Sequence, residues 1–164
     1  MSSTPIYRAP MRARDRDLRA GAGAEHGLTR GLVGIGGALE AVPATLEEAV
    51  EAAVVAHGPK AGRLLRRFAE LPAGSFVWTR DGSGLYHLGR VCGPWRYDAS
   101  RAAGEVGIHH VRAAAWLDRP FGPQEVPVAV AATFARGGRN FQRTHDAAAE
   151  RRTAELWEAN VCAE

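Results

Sequence analysis

The chain predicts an α+β fold with a small curled sheet or barrel, and three observations predict it. Short runs rich in β-branched and aromatic residues crowd the second half, each bounded by Gly, Pro or Asp. Stretches with helical periodicity sit in separate blocks rather than alternating with the strands. The strand runs are short and joined by tight turns, as in antiparallel all-β layers that curl on themselves.

Taken in order, Ile6 to Arg8 predicts a short strand, and Arg12 to Arg19, of mixed charge, a solvated loop. Leu32-Val-Gly-Ile-Gly36 predicts a buried strand entering a Gly-Gly turn. Thr45-Leu-Glu-Glu48 is a capping box, so a helix starts there and runs to about His57, where Gly58-Pro59 stops it. Ala61, Leu64, Leu65 and Phe68 form one apolar stripe of a second helix. Arg63, Arg66 and Arg67 fall off that stripe, where they suit either a wet face or phosphate. Pro72-Ala-Gly74 ends the helix. Strands are expected at Ser75–Arg80, Leu85–Cys92, Trp95–Asp98 and Ile108–Leu117, the first two joined by the hairpin turn Asp81-Gly-Ser-Gly84. Gly93-Pro94 reads as a sharp turn. A short helix over Val126–Ala135, a strand over Asn140–Arg143 and a helix over Ala147–Ala159 complete the reading.

A length of 164 residues is enough to bury a core and fits one domain over 1–164, with 1–5 and 160–164 as flexible ends. Hydrophobic content of 46% with 24% charged residues places the chain among globular proteins and away from disordered ones. Of the 21 basic residues only Lys60 is Lys, a bias that abundant Ala, Gly and Arg together explain as codon usage. The net charge of +3 favours a polyanionic partner only weakly. The residues from Met1 to Ile6 hold no apolar run, and no segment approaches transmembrane length, so a cytoplasmic protein without membrane contact is expected.

Catalytic and metal chemistries find no foothold. Cys92 and Cys162 lie far apart, which excludes a C-x-x-C metal site, and Cys92 is expected buried and inert within its strand. Gly34-Ile-Gly-Gly37 lacks dinucleotide-binding spacing, and there is no Walker Lys. Its glycines suit close approach of another backbone or of a flat ligand. His109 and His110 are adjacent on an expected strand, hence on opposite faces and ill-placed to share a metal. No acid–base pair stands out, so a protein without cofactor or catalysis is expected.

What remains is aromatic. Trp78, Tyr86, Trp95, Tyr97, Trp116 and Phe134 cluster in the β-rich half with Arg90, Arg96, Arg112, Arg136 and Arg139 interleaved. Aromatics beside arginines stack flat, electron-rich partners such as nucleobases, and a base pocket needs two flat walls with a few polar groups. The same aromatics also suit a barrel core, the more so for Trp78 and Trp116.

In the order and content of these pieces the chain resembles the EVE-like branch of the PUA-like superfamily, and in particular the modified-base recognition domains of Mrr- and McrB-type restriction systems. The resemblance spans most of Leu32 to Thr144. It rests on Leu32-Val-Gly-Ile-Gly36, on Leu65-Arg-Arg-Phe68 with Leu71 through Trp78, and on Tyr86-His-Leu-Gly-Arg-Val-Cys-Gly-Pro-Trp-Arg-Tyr97. His110-Val-Arg112 with Ala115-Trp-Leu117, and Val126 to Phe134 with Asn140-Phe141, extend it. It implies a partly open barrel of about five to six strands wrapped by helices, and a pocket that reads a modified base in DNA or RNA. Relatives often carry an aromatic after the Ile-Gly, where this chain has Gly36-Gly37.

The expected function is therefore a non-catalytic, stand-alone reader of a modified base such as a modified cytosine, in phage defence or restriction, with a nuclease as an implied partner protein. Trp78, Trp95 and Tyr97 would stack the base, Gly36 and Gly37 would let it approach, and Arg90, Arg96, Arg112, Arg136 and Arg139 would meet phosphate or the base edge. The alternative is a structural or regulatory protein-interaction domain with no base pocket, in which Trp95 and Tyr97 are buried among Leu and Val.

Overall fold

The computed structural model describes residues 3–12, 19–137 and 140–161. It is an α+β fold around one curled sheet with helices on both faces. The strands are β1 (Ile6–Arg8), β2 (Leu32–Ile35), β3 (Phe76–Arg80), β4 (Tyr86–Val91), β5 (Arg96–Tyr97), β6 (His110–Trp116) and β7 (Gln142–Arg143). The helices are α1 (Ala22–Arg30), α2 (Leu46–His57), α3 (Pro59–Glu70), α4 (Arg101–Val106), α5 (Val128–Ala135) and α6 (Ala147–Val161). The strands run β2-β6-β4-β3-β1-β7 across the sheet, with β5 beside β6. Six strands form the path across the sheet, as expected, and β5 is a two-residue piece off that path. All pairings are antiparallel except β1 with β3. The sheet does not close: β2 and β7 are its two edges.

Alternation along the strands builds two cores. Ile6, Phe76, Trp78, Tyr86 and Leu88 face α5 and α6, packing with Val130, Phe134 and Leu156. Val77, Val91 and Val111 face the other way, against Ala24 of α1, Ala49 and Ala53 of α2, and Leu65 and Phe68 of α3. Trp78 is fully buried, and its indole N–H donates to Thr153 Oγ1 at 3.1 Å.

The Thr45 cap forms as the sequence predicts, and the reciprocal Glu48 bond falls one residue earlier than in a standard capping box. Glu48 N–H donates to Thr45 Oγ1 at 3.2 Å, and Glu48 Oε2 accepts from Ala44 N–H at 2.9 Å. Pro59 occupies the first turn of α3, where its missing N–H costs nothing.

Gly93-Pro94 departs from expectation. Instead of reversing, the chain continues along the same side of β6, so β4 and β5 are one interrupted strand. Val91 pairs with Ala114 and Arg96 with Val111, a register slip of two residues. The result is a bulge, which bends the strand and re-aims its side chains. Cys92 lies in it and is exposed, correcting its expected burial. The expected loop between Arg12 and Arg19 falls mostly outside the described residues. Among the described residues no helix is long and apolar enough to cross a membrane.

Candidate nucleic-acid interface

A cleft of about 1240 Å³ opens where the sheet fails to close. Gly34 to Gly37 of β2 and its exit line one side, and Phe141 to Arg143 of β7 line the other. The outward face of α3 lines it between them. Lys60, Arg63 and Arg67, spaced i, i+3 and i+7, share that face with Leu64, while Leu65 at the base of the cleft and Phe68, farther round the helix, are buried in the core. Its volume exceeds the roughly 300–1,000 Å³ of a small-molecule pocket, so a segment of a polymer fits it better than an isolated metabolite.

Its charge is one-sided. Arg12, Lys60, Arg63, Arg67 and Arg143 line it together with four histidines, and among the described lining residues there is no Asp or Glu. Of the five cations only Arg143 has an ion-pair partner among the described residues, Glu150 at 3.8 Å. Arg66, one residue before Arg67, is turned away and forks onto both oxygens of Glu47 at 2.9 Å. The two readings left open for this arginine group are thus divided by position: Arg66 belongs to the wet face, Arg63 and Arg67 to the cleft. Beneath the charge the surface is apolar and aromatic. Tyr7 and Phe141 both line the cleft and stack on each other at 5.2 Å with 14° between their planes. An apolar floor with a cationic rim is the arrangement that holds bases below and phosphates above.

The β2–α2 loop is the cleft wall, and three side chains from three elements hold it. His110 Nε2 bonds to the Gly37 carbonyl at 3.0 Å and His57 Nε2 to the Ala38 carbonyl at 2.8 Å. Tyr97 Oη accepts from Leu39 N–H at 2.9 Å. Gly37 has φ +118°, a conformation side chains resist, and a Cβ there would lie 3.5 Å from the His110 ring. Gly34 is required for packing instead: a Cβ would lie 2.4 Å from Ile108 Cγ2.

His110 is the joint of this wall. Its Nδ1 accepts from Trp95 Nε1–H at 3.2 Å, so the proton sits on Nε2 and is donated to Gly37. The bond from Trp95 requires the neutral ring, because the protonated ring has no acceptor nitrogen. Burial, with the nearby charges of His109 and His57, pushes its pKa down to about 4, against the opposing pull of the Gly37 carbonyl. Trp95 stacks on His110 at 6.1 Å, and Tyr97 stacks on His109 at 5.4 Å. Contrary to the strand-alternation argument, His109 and His110 both reach the cleft, because β6 begins only at His110 and alternation does not govern the residue before it.

The expected site residues are thereby distributed. Gly36 and Gly37 line the cleft directly. Trp95 and Tyr97 are half-buried one layer behind it and brace the histidines that line it. Trp78 is core and cannot present a face to a ligand. Arg112 is buried, donating to the Gly93, Phe68 and Leu71 carbonyls, two of them freed by the end of α3. Arg90 lies 4.5 Å over Phe76 and 5.6 Å over Trp157, a packing role away from the cleft. Arg96 is exposed, 3.9 Å from Asp98. Arg136 lines a separate small pocket, and Arg139 lies outside the described residues. Tyr7, Phe141, His57 and Lys60 were not foreseen. Of the arginines that fall off the apolar stripe of the second helix, Arg63 and Arg67 line the cleft and Arg66 does not. No group of His, Cys, Asp or Glu among the described residues could hold a metal.

No family model matches the chain, and no curated protein matches it. Among solved structures it is similar to the YTH domain of the Zygosaccharomyces rouxii MRB1 protein in complex with N6-methyladenosine RNA. The identity is 11%, over 96% of this chain and 91% of that chain, with a TM-score of 0.43. At that TM-score the likeness decides nothing about the ligand.

Proposed function

We propose that this protein is a non-catalytic binding module for DNA or RNA that takes a modified base into the cleft between β2 and β7. The observation that carries this reading is the cleft's composition: among the described residues it has five cations, no carboxylate and an aromatic floor. Phosphates meet Lys60, Arg63 and Arg67, and the base enters against Gly36 and Gly37, where no side chain blocks it. Trp95 and Tyr97 act through the wall they brace rather than as the stacking surface itself. The resemblance of Leu32 to Thr144 to base-recognition domains of restriction systems supports a modified base as the ligand, and phage defence or restriction, alongside a nuclease, as its setting.

The protein-interaction alternative expects Trp95 and Tyr97 sealed among Leu and Val. They are instead half-buried and stacked on histidines beside a cleft. Fluorescence polarisation with matched single- and double-stranded oligonucleotides, unmodified or carrying 5-methylcytosine, 5-hydroxymethylcytosine, glucosylated cytosine or N6-methyladenine, tests the proposal at two salt concentrations. One modification should bind tightest and keep its advantage at the higher salt. Equal affinities that vanish together with salt would leave only a basic surface.

A further inference from the structure

Behind β7 lies a second, smaller cavity of about 190 Å³ between β1, β7 and α5. Its cations are Arg8, Arg136 and Arg143, joined by His145. Arg8 is 5% exposed, and its contacts are with neutral groups. It donates to the Thr133 carbonyl at 2.8 Å, to the Asn140 carbonyl at 3.0 and 3.2 Å, and to Gln142 Oε1 at 3.2 Å. Burial first, and the charge of Arg136 second, hold its guanidinium below the ordinary range. Buried charges are normally paired, because taking an ion out of water costs more than neutral hydrogen bonds return.

The available compensation falls short. The Thr133 carbonyl belongs to the last turn of α5, whose dipole supplies roughly half a negative charge. Arg8 donates to it directly, and Arg136 follows as the residue that caps the helix. The carboxylate recorded near the pocket is Glu150, and it is taken up by Arg143 at 3.8 Å and by the Ser3 hydroxyl. Among the described residues Arg8 and Arg136 have no anionic partner. The cavity is also below the size of a small-molecule pocket, so its complement is an ion-sized group.

We infer that this cavity is a binding site for a phosphate group, with the Arg136 guanidinium gripping its oxygens and Arg8 supplying its charge and its one remaining Nη1–H. The cavity and the cleft share Gln142, Arg143 and His145, so a strand lying in the cleft brings a neighbouring phosphodiester to the cavity. That link rests on the nucleic-acid reading; the phosphate site itself does not.

The test is calorimetric titration of inorganic phosphate into the full chain at neutral pH, in a buffer free of competing oxyanions. Saturable binding is expected. Arg136→Gln, at an exposed position, should weaken it at least tenfold, and Arg101→Gln, exposed on α4 and lining neither cavity, should change it less than twofold. As a measure that needs no variant, the Arg8 Nε–H resonance should shift on titration while that of Arg112 stays fixed. Absence of saturable binding, or equal losses in the two variants, would overturn the site. A short abasic deoxyribose-phosphate chain should displace the phosphate. Phosphate binding that this chain cannot displace would uphold the pocket and overturn its link to the cleft. Phosphate binding in a protein that ignores every oligonucleotide would sink the functional reading and leave this site standing.

Discussion

His110 shows how much of the cleft wall hangs on one protonation state. Its ring accepts from Trp95 and donates to Gly37, and only the neutral form does both. Its pKa in the fold is about 4 against an ordinary 6.5, so as pH falls the unfolded chain takes the proton first. Stability from this group is full above about pH 6.5 and is lost between there and about pH 4, with a ceiling on the order of 3 kcal/mol. Urea unfolding at pH 7 and pH 4.5 should show that loss in the native chain and much less of it in His110→Gln; an equal loss in both would assign it elsewhere. Trp95→Phe keeps a ring but removes the indole N–H. It should cost about 1 kcal/mol at pH 7 and raise the His110 titration midpoint followed by NMR. Gly37→Ala forces a side chain into φ +118° and should cost about 1–3 kcal/mol in the same unfolding assay. At this scale the sequence showed the aromatics and the glycines but not their partners. Trp95 and Tyr97 stood out by type, and Gly36-Gly37 by repetition. Nothing in the order of residues says that a histidine fifteen positions on receives the Trp95 indole, because a bulge at Cys92–Trp95 sets that contact.

Among the elements, α3 does two jobs with two faces. One buries Leu65 and Phe68; the other lines the cleft with Lys60, Arg63 and Arg67. Its end is secured from β6, where Arg112 satisfies the Phe68 and Leu71 carbonyls. Arg112→Met should leave those acceptors and the Gly93 carbonyl unpaired. Each buried orphan costs about 1–3 kcal/mol, so the urea midpoint should fall by the equivalent of several kcal/mol with an unchanged slope. A loss below 1 kcal/mol would mean that water replaces the guanidinium. The α2 and α3 boundaries were legible because a capping box and a Gly-Pro stop are local signals. The helices α1 and α4 were not. α1 carries Gly23 and Gly27, poor helix formers that its packing demands: a Cβ on Gly23 would fall 1.8 Å from the Met11 carbonyl oxygen. Tertiary contact overrides propensity there. α4 spans six residues, too short for periodicity to show, although Ser100 caps it at Ala103 N–H with a bond of 3.2 Å.

For the whole molecule, the modest net charge of +3 hides an asymmetry, since the cleft gathers cations and has no carboxylate among its described lining residues. If Arg12, Lys60, Arg63 and Arg67 each displace a counterion from a single strand, log K should fall with log salt at a slope of about −3. Arg63→Glu with Arg67→Glu should flatten that slope by about half while the unfolding midpoint holds. A slope that does not change would remove α3 from the interface. The curled sheet was legible from short strands and tight turns, and its partial opening from the family resemblance alone, while the identity of the edges was not, because which strands become edges is a matter of pairing order. That opening has a consequence for how the chain behaves alone. A sheet with free margins invites other chains to add to it, and long flat margins are the hazard. Here one margin is four residues with Gly34 at its centre, and the other is two residues ending in Arg143. Neither can template a foreign strand for more than a few hydrogen bonds. The shortness that leaves room for a ligand also limits edge-to-edge strand addition.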